Sequence, residues 1–146
     1  MNTTGHTVGF TLIEILLLIA TVGILIGIVF LIINPGDQLS ETRNEQRVKD
    51  VDTILSAAYQ YQIDTGTLPA YITTIPSEIC ETGKACAGFV DLGVLTDGKS
   101  YIESIPVEPM KTNINGAGYL VSRSINGRIT VEAQFEELGE VITATR

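Results

Sequence analysis

The sequence has few of the residues from which catalytic sites are usually built. Its 146 residues include one histidine, two cysteines and no tryptophan, and only 18% of them are charged. The single histidine, His6, precedes the apolar segment described below, so the body of the protein cannot assemble a Ser–His or Cys–His pair. Neither a Gly-rich phosphate loop nor a zinc-like spacing of Cys and His occurs. We therefore predict that the protein is not an enzyme and has no cofactor, although scattered acidic residues leave a carboxylate pair open.

Basic residues are also scarce and unevenly placed. The chain has 9 basic against 17 acidic residues, a net charge of −8, and no Lys or Arg precedes Arg43. No basic patch is visible that would bind a phosphate backbone, so we expect no direct contact with nucleic acid.

One long apolar run occurs near the N-terminus. Residues 10–33 contain 19 apolar side chains in 24 positions. As a helix they would extend about 36 Å, enough to cross a hydrocarbon core of about 30 Å. A cleaved secretory signal would need a basic start, a shorter apolar stretch and a cut site between small residues. The sequence has none of these, which predicts a membrane span that stays with the protein.

Glu14 is the one charged residue inside this run. A comparable Asp at mid-bilayer costs about 2.5 kcal/mol or more, and less near the edge. One interpretation is a protonated or snorkelling edge glutamate. The other is a pairing partner: a new N-terminus at Phe10 would place an amine about 6 Å along the helix axis from Glu14. If two copies were staggered by that distance, the amine of one would neutralise the carboxylate of the other.

The residues Gly9-Phe10-Thr11-Leu12-Ile13-Glu14, followed by the apolar run, resemble the N-terminus of type IV pilins and of type II secretion pseudopilins. The resemblance implies that a prepilin peptidase removes a leader, residues 1–9, by cutting between Gly9 and Phe10, and that Phe10 is N-methylated. It also implies a helical homopolymer, assembled through Phe10 and Glu14 by an inner-membrane platform. Leaders of the family usually carry Lys or Arg, and this one carries neither.

The resemblance further implies a bacterial α+β pilin-like fold: a long N-terminal helix whose first half spans the inner membrane, packed on a small C-terminal antiparallel sheet. The precursor would be a single-pass inner-membrane protein and the assembled form an extracytoplasmic, cell-surface filament, either a pilus (fimbrium) or a secretion pseudopilus. The positive-inside rule, applied to Arg43, Arg47 and Lys49, would instead keep the body in the cytoplasm. A second interpretation is a single-span protein that presents an extracytoplasmic binding or sensor module, but it leaves Glu14 and the Gly9–Phe10 junction unexplained.

Asn34-Pro35-Gly36 predicts a helix break at Pro35 and Gly36. The helix is expected to resume as an amphipathic segment over 34–66, with an apolar face and a solvated charged face. The predicted apolar positions are Val48, Val51, Leu55 and Ala58, and the predicted solvated positions are Glu41, Arg43, Glu45, Arg47, Lys49 and Asp50.

Residues 67–117 are predicted to be an irregular connector. In an oxidising compartment Cys80 and Cys86 would close a small disulfide loop within it, stabilising the fold by about 2 kcal/mol. The alternative is two unrelated buried thiols. Some major pseudopilins bind calcium in their C-terminal region. The acidic residues here that could do so form no recognised calcium loop, so we predict no metal site. They are Asp91, Asp97, Glu103 and Glu108.

Residues 118–146 are predicted to form an antiparallel sheet. Asn126-Gly127 indicates a hairpin with a two-residue turn. That turn would place Ser122 opposite Val131 and Leu120 opposite Ala133, and the face containing Leu120 would pack on the amphipathic helix. Residues 141–145 are a candidate third strand.

Overall fold

The computed structural model of the chain describes residues 9–32 and 34–146. The chain divides into two compact units, Met1–Gly36 and Asp37–Arg146. Of the predicted leader, residues 1–8 lie outside the described part of the chain.

The first unit contains the α-helix α1, Leu12–Ile32. Its segment Leu12–Phe30 has a mean hydropathy of 2.8 and is long and apolar enough to cross a membrane. Its side chains from Leu12 to Phe30 are exposed in the isolated chain. Such a surface is stable in hydrocarbon or against other apolar helices, and is unfavourable in water.

The second helix, α2, spans Pro35–Thr65. Proline is tolerated in a first helical turn because its missing N–H has no partner there in any case. Just before the helix, the Asn34 side-chain oxygen accepts a hydrogen bond from the Gly36 N–H at 3.2 Å. The helix stops where Gly66 adopts a left-handed φ of 73° and its N–H donates to the Gln62 carbonyl.

A four-stranded antiparallel sheet follows, and its strands lie side by side in chain order. The strands are β1 Ser77–Cys80, β2 Gly116–Arg123, β3 Ile129–Ala133 and β4 Thr143–Thr145. A short helix, α3, Gly93–Thr96, and a 3₁₀ turn, Asp97–Lys99, lie between the first two strands. The candidate third strand of the sequence analysis is present as β4, whereas β1 lies inside the segment predicted to be an irregular connector.

The core of the second unit forms between α2 and one face of this sheet. Val51, Ile54 and Leu55 of α2 share one buried cluster with Tyr119 and other inward side chains of the strands. Each such aliphatic side chain contributes about 1.5–3 kcal/mol when fully buried. The expected packing of sheet on helix is therefore confirmed, except that Val48 is 53% exposed rather than buried.

The predicted hairpin register is wrong by one residue. Val121, not Ser122, lies opposite Val131, because the loop has three residues, 125–127, instead of two. The Gly127 N–H donates to the Ser124 carbonyl, and Gly127 has a φ of +80°. A one-residue shift moves a strand's side chains to the other face. Tyr119 and Val121 therefore point into the core, and Leu120 is only partly buried.

The three-residue loop predicts which glycine substitution destabilises the hairpin. Gly127→Ala should lower the free energy of unfolding by about 1–2 kcal/mol, because residue 127 has a positive φ that is unfavourable for alanine. An added Cβ would meet no atom within 4 Å, so the backbone conformation alone accounts for this loss. Asn126→Ala should be nearly neutral, since Asn126 has a negative φ. Urea unfolding followed by tyrosine fluorescence measures both. Equal losses from the two variants would instead indicate the two-residue turn, in which both positions need a positive φ.

Candidate functional site

The predicted cleavage site lies just outside the first helix. Gly9 and Phe10 precede α1, and Phe10 is 71% exposed. The helix begins two residues later, where the Thr11 hydroxyl accepts a hydrogen bond from the Glu14 N–H at 3.3 Å, the typical geometry of an N-terminal cap. The Gly9–Phe10 peptide bond is therefore not held in the hydrogen-bonded helix, which leaves it open to a peptidase.

Glu14 lies in the first turn of α1 and is its only charged residue. A carboxylate at a helix N-terminus gains about 0.3–1 kcal/mol from the helix dipole. That gain is smaller than the cost of about 2.5 kcal/mol for a comparable acid deep in hydrocarbon. No side chain in residues 9–32 or 34–146 forms an ion pair or hydrogen bond with its carboxylate. The charge of Glu14 is thus left without a cation in the described single chain.

Cys80 and Cys86 form a disulfide, with their Cα atoms 5.3 Å apart. Cys80 ends β1, and its backbone N–H donates to the Val90 carbonyl at 2.9 Å. Strand pairing and a covalent bond together therefore fix this loop to the edge of the sheet. Since the sequence contains only two cysteines, no thiol is left free.

A buried charged cluster, which no pattern in the sequence indicates, lies between α2 and two distant loops. Arg47 is completely buried, and its Nε donates to Glu108 Oε1 at 2.6 Å. Its Nη1 donates to Glu137 Oε2 at 2.9 Å and to Asn44 Oδ1 at 2.7 Å. Glu108 is itself buried and accepts a further bond from the Met110 N–H. Arg47 therefore binds two carboxylates that lie 61 and 90 residues further along the chain.

Glu137 is the second centre of this charged cluster. Arg43 donates to both of its carboxylate oxygens, at 2.6 and 2.5 Å, and the Ser40 hydroxyl donates at 2.8 Å. Asn44 binds the Glu137 backbone, donating to its carbonyl and accepting from its N–H. The prediction that Arg43 and Arg47 belong to a solvated face is therefore wrong, because both bind partners far away in the sequence.

The charged groups of the cluster have shifted pKa values. Hydrogen bonds from Arg43 and Arg47 hold the Glu137 pKa well below its ordinary value. Nearby, burial raises the pKa of Asp50, although the Tyr119 hydroxyl donates to it at 2.6 Å. Burial and this hydrogen bond raise the Tyr119 pKa in turn. Glu137 is therefore ionised at neutral pH and holds residues 136–140 to α2.

Two of the four acidic residues considered for calcium form ion pairs instead. Glu108 binds Arg47, and Glu103 forms an exposed ion pair with Lys99 four residues before it. Within residues 9–32 and 34–146, no group of three His, Cys, Asp or Glu residues is arranged to hold a metal ion.

Comparison with known proteins returned no match, whether with family models, with curated proteins or with solved structures.

The buried pair predicts a large effect from removing one charge. Glu108→Gln should destabilise the second unit by about 3–5 kcal/mol, because the buried Arg47 loses its closest carboxylate. The double variant Arg47→Met, Glu108→Leu should recover most of that loss. Glu103→Gln is the matched control and should change stability by less than about 0.5 kcal/mol, since its side chain is 76% exposed. Chemical unfolding measures all three. A double variant as unstable as Glu108→Gln would contradict this account.

The lowered pKa of Glu137 predicts a pH dependence. Its ion pairs stabilise the fold above the unfolded-state pKa of about 4.3, and this contribution is lost as the pH falls toward the lower folded-state value. Wild type should therefore exceed Glu137→Gln in stability at pH 6, and the difference should shrink steadily below about pH 4.3. Glu136→Gln serves as the neighbouring control. A difference that stays constant from pH 6 to pH 3 would show that the ion pairs do not carry the effect.

Proposed function

We propose that the chain is a pilin-like structural subunit that polymerises into a type IV pilus or a secretion pseudopilus. A prepilin peptidase removes residues 1–9, Phe10 becomes the methylated N-terminus, and the apolar helices pack together as the filament core. The α+β body, with its long helices followed by a small antiparallel sheet, is compatible with this layout.

The observation that carries the proposal is the unpaired carboxylate of Glu14 close behind an exposed Gly9–Phe10 bond. Cleavage at that bond creates a cation four residues before Glu14 on a segment that otherwise has none. If the helix continued to Phe10, the new amine and Glu14 of one chain would lie about 6 Å apart along its axis. Between chains staggered by that distance they meet directly, and both charges are neutralised in a low dielectric.

Two further features support export of the body and its assembly. The Cys80–Cys86 disulfide is typical of a protein that matures in an oxidising compartment. In addition, the exposed apolar surface of α1 is unfavourable in water. Lipid would bury it before assembly, and neighbouring helices would bury it in the filament. Gly23 and Gly27 have open space around the position of a Cβ, so another helix could approach closely there.

Intact-mass measurement tests processing directly. Protein purified from a host with a prepilin peptidase should lack nine residues and carry one added methyl group. A Gly9→Leu variant should keep the full mass, because the small residue before the cut is gone. If the wild-type chain also keeps its full mass, the protein is better described as a single-span anchor for a binding or sensor module.

Substitution of Glu14 tests the assembly step. Glu14→Ala should be processed normally and remain in the membrane as a monomer, because no carboxylate attracts the N-terminus of the next copy. Glu45→Ala, which removes an exposed acid of α2, should assemble as wild type does. Sheared surface filaments counted by electron microscopy, with processing checked by mass, give the result. Normal filament yield from Glu14→Ala would contradict the charge-pairing mechanism.

A further inference from the structure

We propose that the bodies of neighbouring copies bind head to tail, with the β2–β3 hairpin tip of one copy in a groove on the next. This inference depends on the proposed function, since it requires many copies side by side, and it specifies a contact between bodies rather than between apolar helices.

The hairpin tip presents an apolar side chain between two cations. Ile125, in the loop between β2 and β3, is 97% exposed. Arg123 and Arg128 lie on either side of it, and neither side chain has a hydrogen bond or ion pair with any residue that the structure describes. Turns usually contain Gly, Asn, Asp, Ser or Pro, because these residues favour the backbone conformations or local hydrogen bonds of a turn. An exposed Ile provides neither. We call Arg123, Ile125 and Arg128 the tip patch.

A groove of matching character lies between α2 and the segment that leads into β4. It has a volume of about 580 Å³ and is lined mainly by apolar side chains, among them Val48 and Val141, which are 53% and 76% exposed. Two acids, Asp52 and Glu140, and one base, Lys49, also line it. The groove is therefore apolar with a net negative charge, whereas the tip patch is apolar with two positive charges. This complementarity favours a contact between them.

The tip patch and the groove lie at opposite ends of the sheet, so a chain cannot fill its own groove. Arg146 exchanges two backbone hydrogen bonds with Ile129, next to the tip. At the other end of β3, the Ala133 N–H donates to the Ile142 carbonyl beside the groove. From Ile129 to Ala133 the strand β3 rises about 13 Å, and Gly127 lies two residues before its start.

Two different surfaces on one chain make a heterologous contact. In a dimer formed by such a contact, one copy still has a free groove and the other a free tip. Further copies can therefore be added until a ring closes or a filament forms. A second copy of this chain is therefore the occupant to which the geometry points.

Cysteine cross-linking in the full-length chain tests the contact, because both native cysteines are already in a disulfide. Ile125→Cys and Val141→Cys chains, coexpressed and treated in membranes or filaments with a short bismaleimide, should give a cross-linked dimer. A single chain with both substitutions should give a ladder of multimers. Ile114→Cys replaces Val141→Cys in the matched control: its residue is 78% exposed and lies outside the groove, so its dimer should be absent.

Charge reversal provides a second measurement. Arg128→Glu should abolish the 125–141 cross-link, and adding Asp52→Arg to the groove should restore it. Cross-linking of Ile125→Cys to Ile114→Cys as efficient as to Val141→Cys would overturn the proposal. Charge reversal without any effect on the cross-link would overturn it as well.

The outcomes separate this inference from the proposed function. Filaments whose bodies give no 125–141 product would refute the head-to-tail contact and leave the pilin-like function standing. A 125–141 ladder from chains that keep their full N-terminus and form no filament would support the contact and refute the pilin-like function. Absence of both filament and ladder would overturn both.

Discussion

An unpaired carboxylate in an apolar helix is the constraint on which the functional account depends. Glu14 is the only charged residue of α1, and the described chain supplies no cation for it. The helix dipole offsets about 1 kcal/mol at most, which is below the cost of burying the charge in hydrocarbon. The remaining cost is removed by leaving the carboxylate near the membrane edge or by bringing a cation to it. In the proposed assembly that cation is the N-terminus of another copy, so the Glu14 carboxylate is neutralised only in the polymer.

The second unit meets the same electrostatic constraint within one chain. Arg47 is completely buried, and it is tolerated because Glu108 and Glu137 bind it from two different loops. The cluster extends through Arg43 and Asn44, so polar contacts from two consecutive turns of α2 hold the segment around Glu137 to the helix. Removing one charged member of such a cluster lowers the free energy of unfolding by far more than the intact cluster adds to it, because the remaining charge stays buried without a partner. The cluster therefore fixes how the connector and the C-terminal segment pack on the helix.

Periodicity and composition are sufficient to predict the two long helices and the hairpin, and not the short strand β1 or the contacts between distant residues. The apolar run predicted α1, and the spacing of Val51, Leu55 and Ala58 predicted the core face of α2. The hairpin was predicted at the right place with the wrong register, because Asn-Gly also occurs in a three-residue loop in which only the glycine needs a positive φ. Because the loop has one more residue than predicted, Tyr119 and Val121 face the core in place of Leu120.

The errors at Arg43, Arg47 and β1 have a different cause. Helical spacing assigns a charged residue to the solvent face, and a partner 61 or 90 residues away leaves no local signal. Likewise, β1 is four residues long and is defined by pairing with β2 across about 40 residues of chain. By contrast, the predicted cleavage site and Glu14 lie within six residues of one another. A short motif of this kind can be recognised from the sequence, because all of its residues are local.

A reconstruction of assembled filaments by electron cryomicroscopy, at a resolution that separates side chains, tests the central claim most directly. The account predicts the Phe10 amine of one copy within about 4 Å of the Glu14 carboxylate of its neighbour. A filament in which that carboxylate faces lipid or water, with no cation from any copy beside it, would contradict the account.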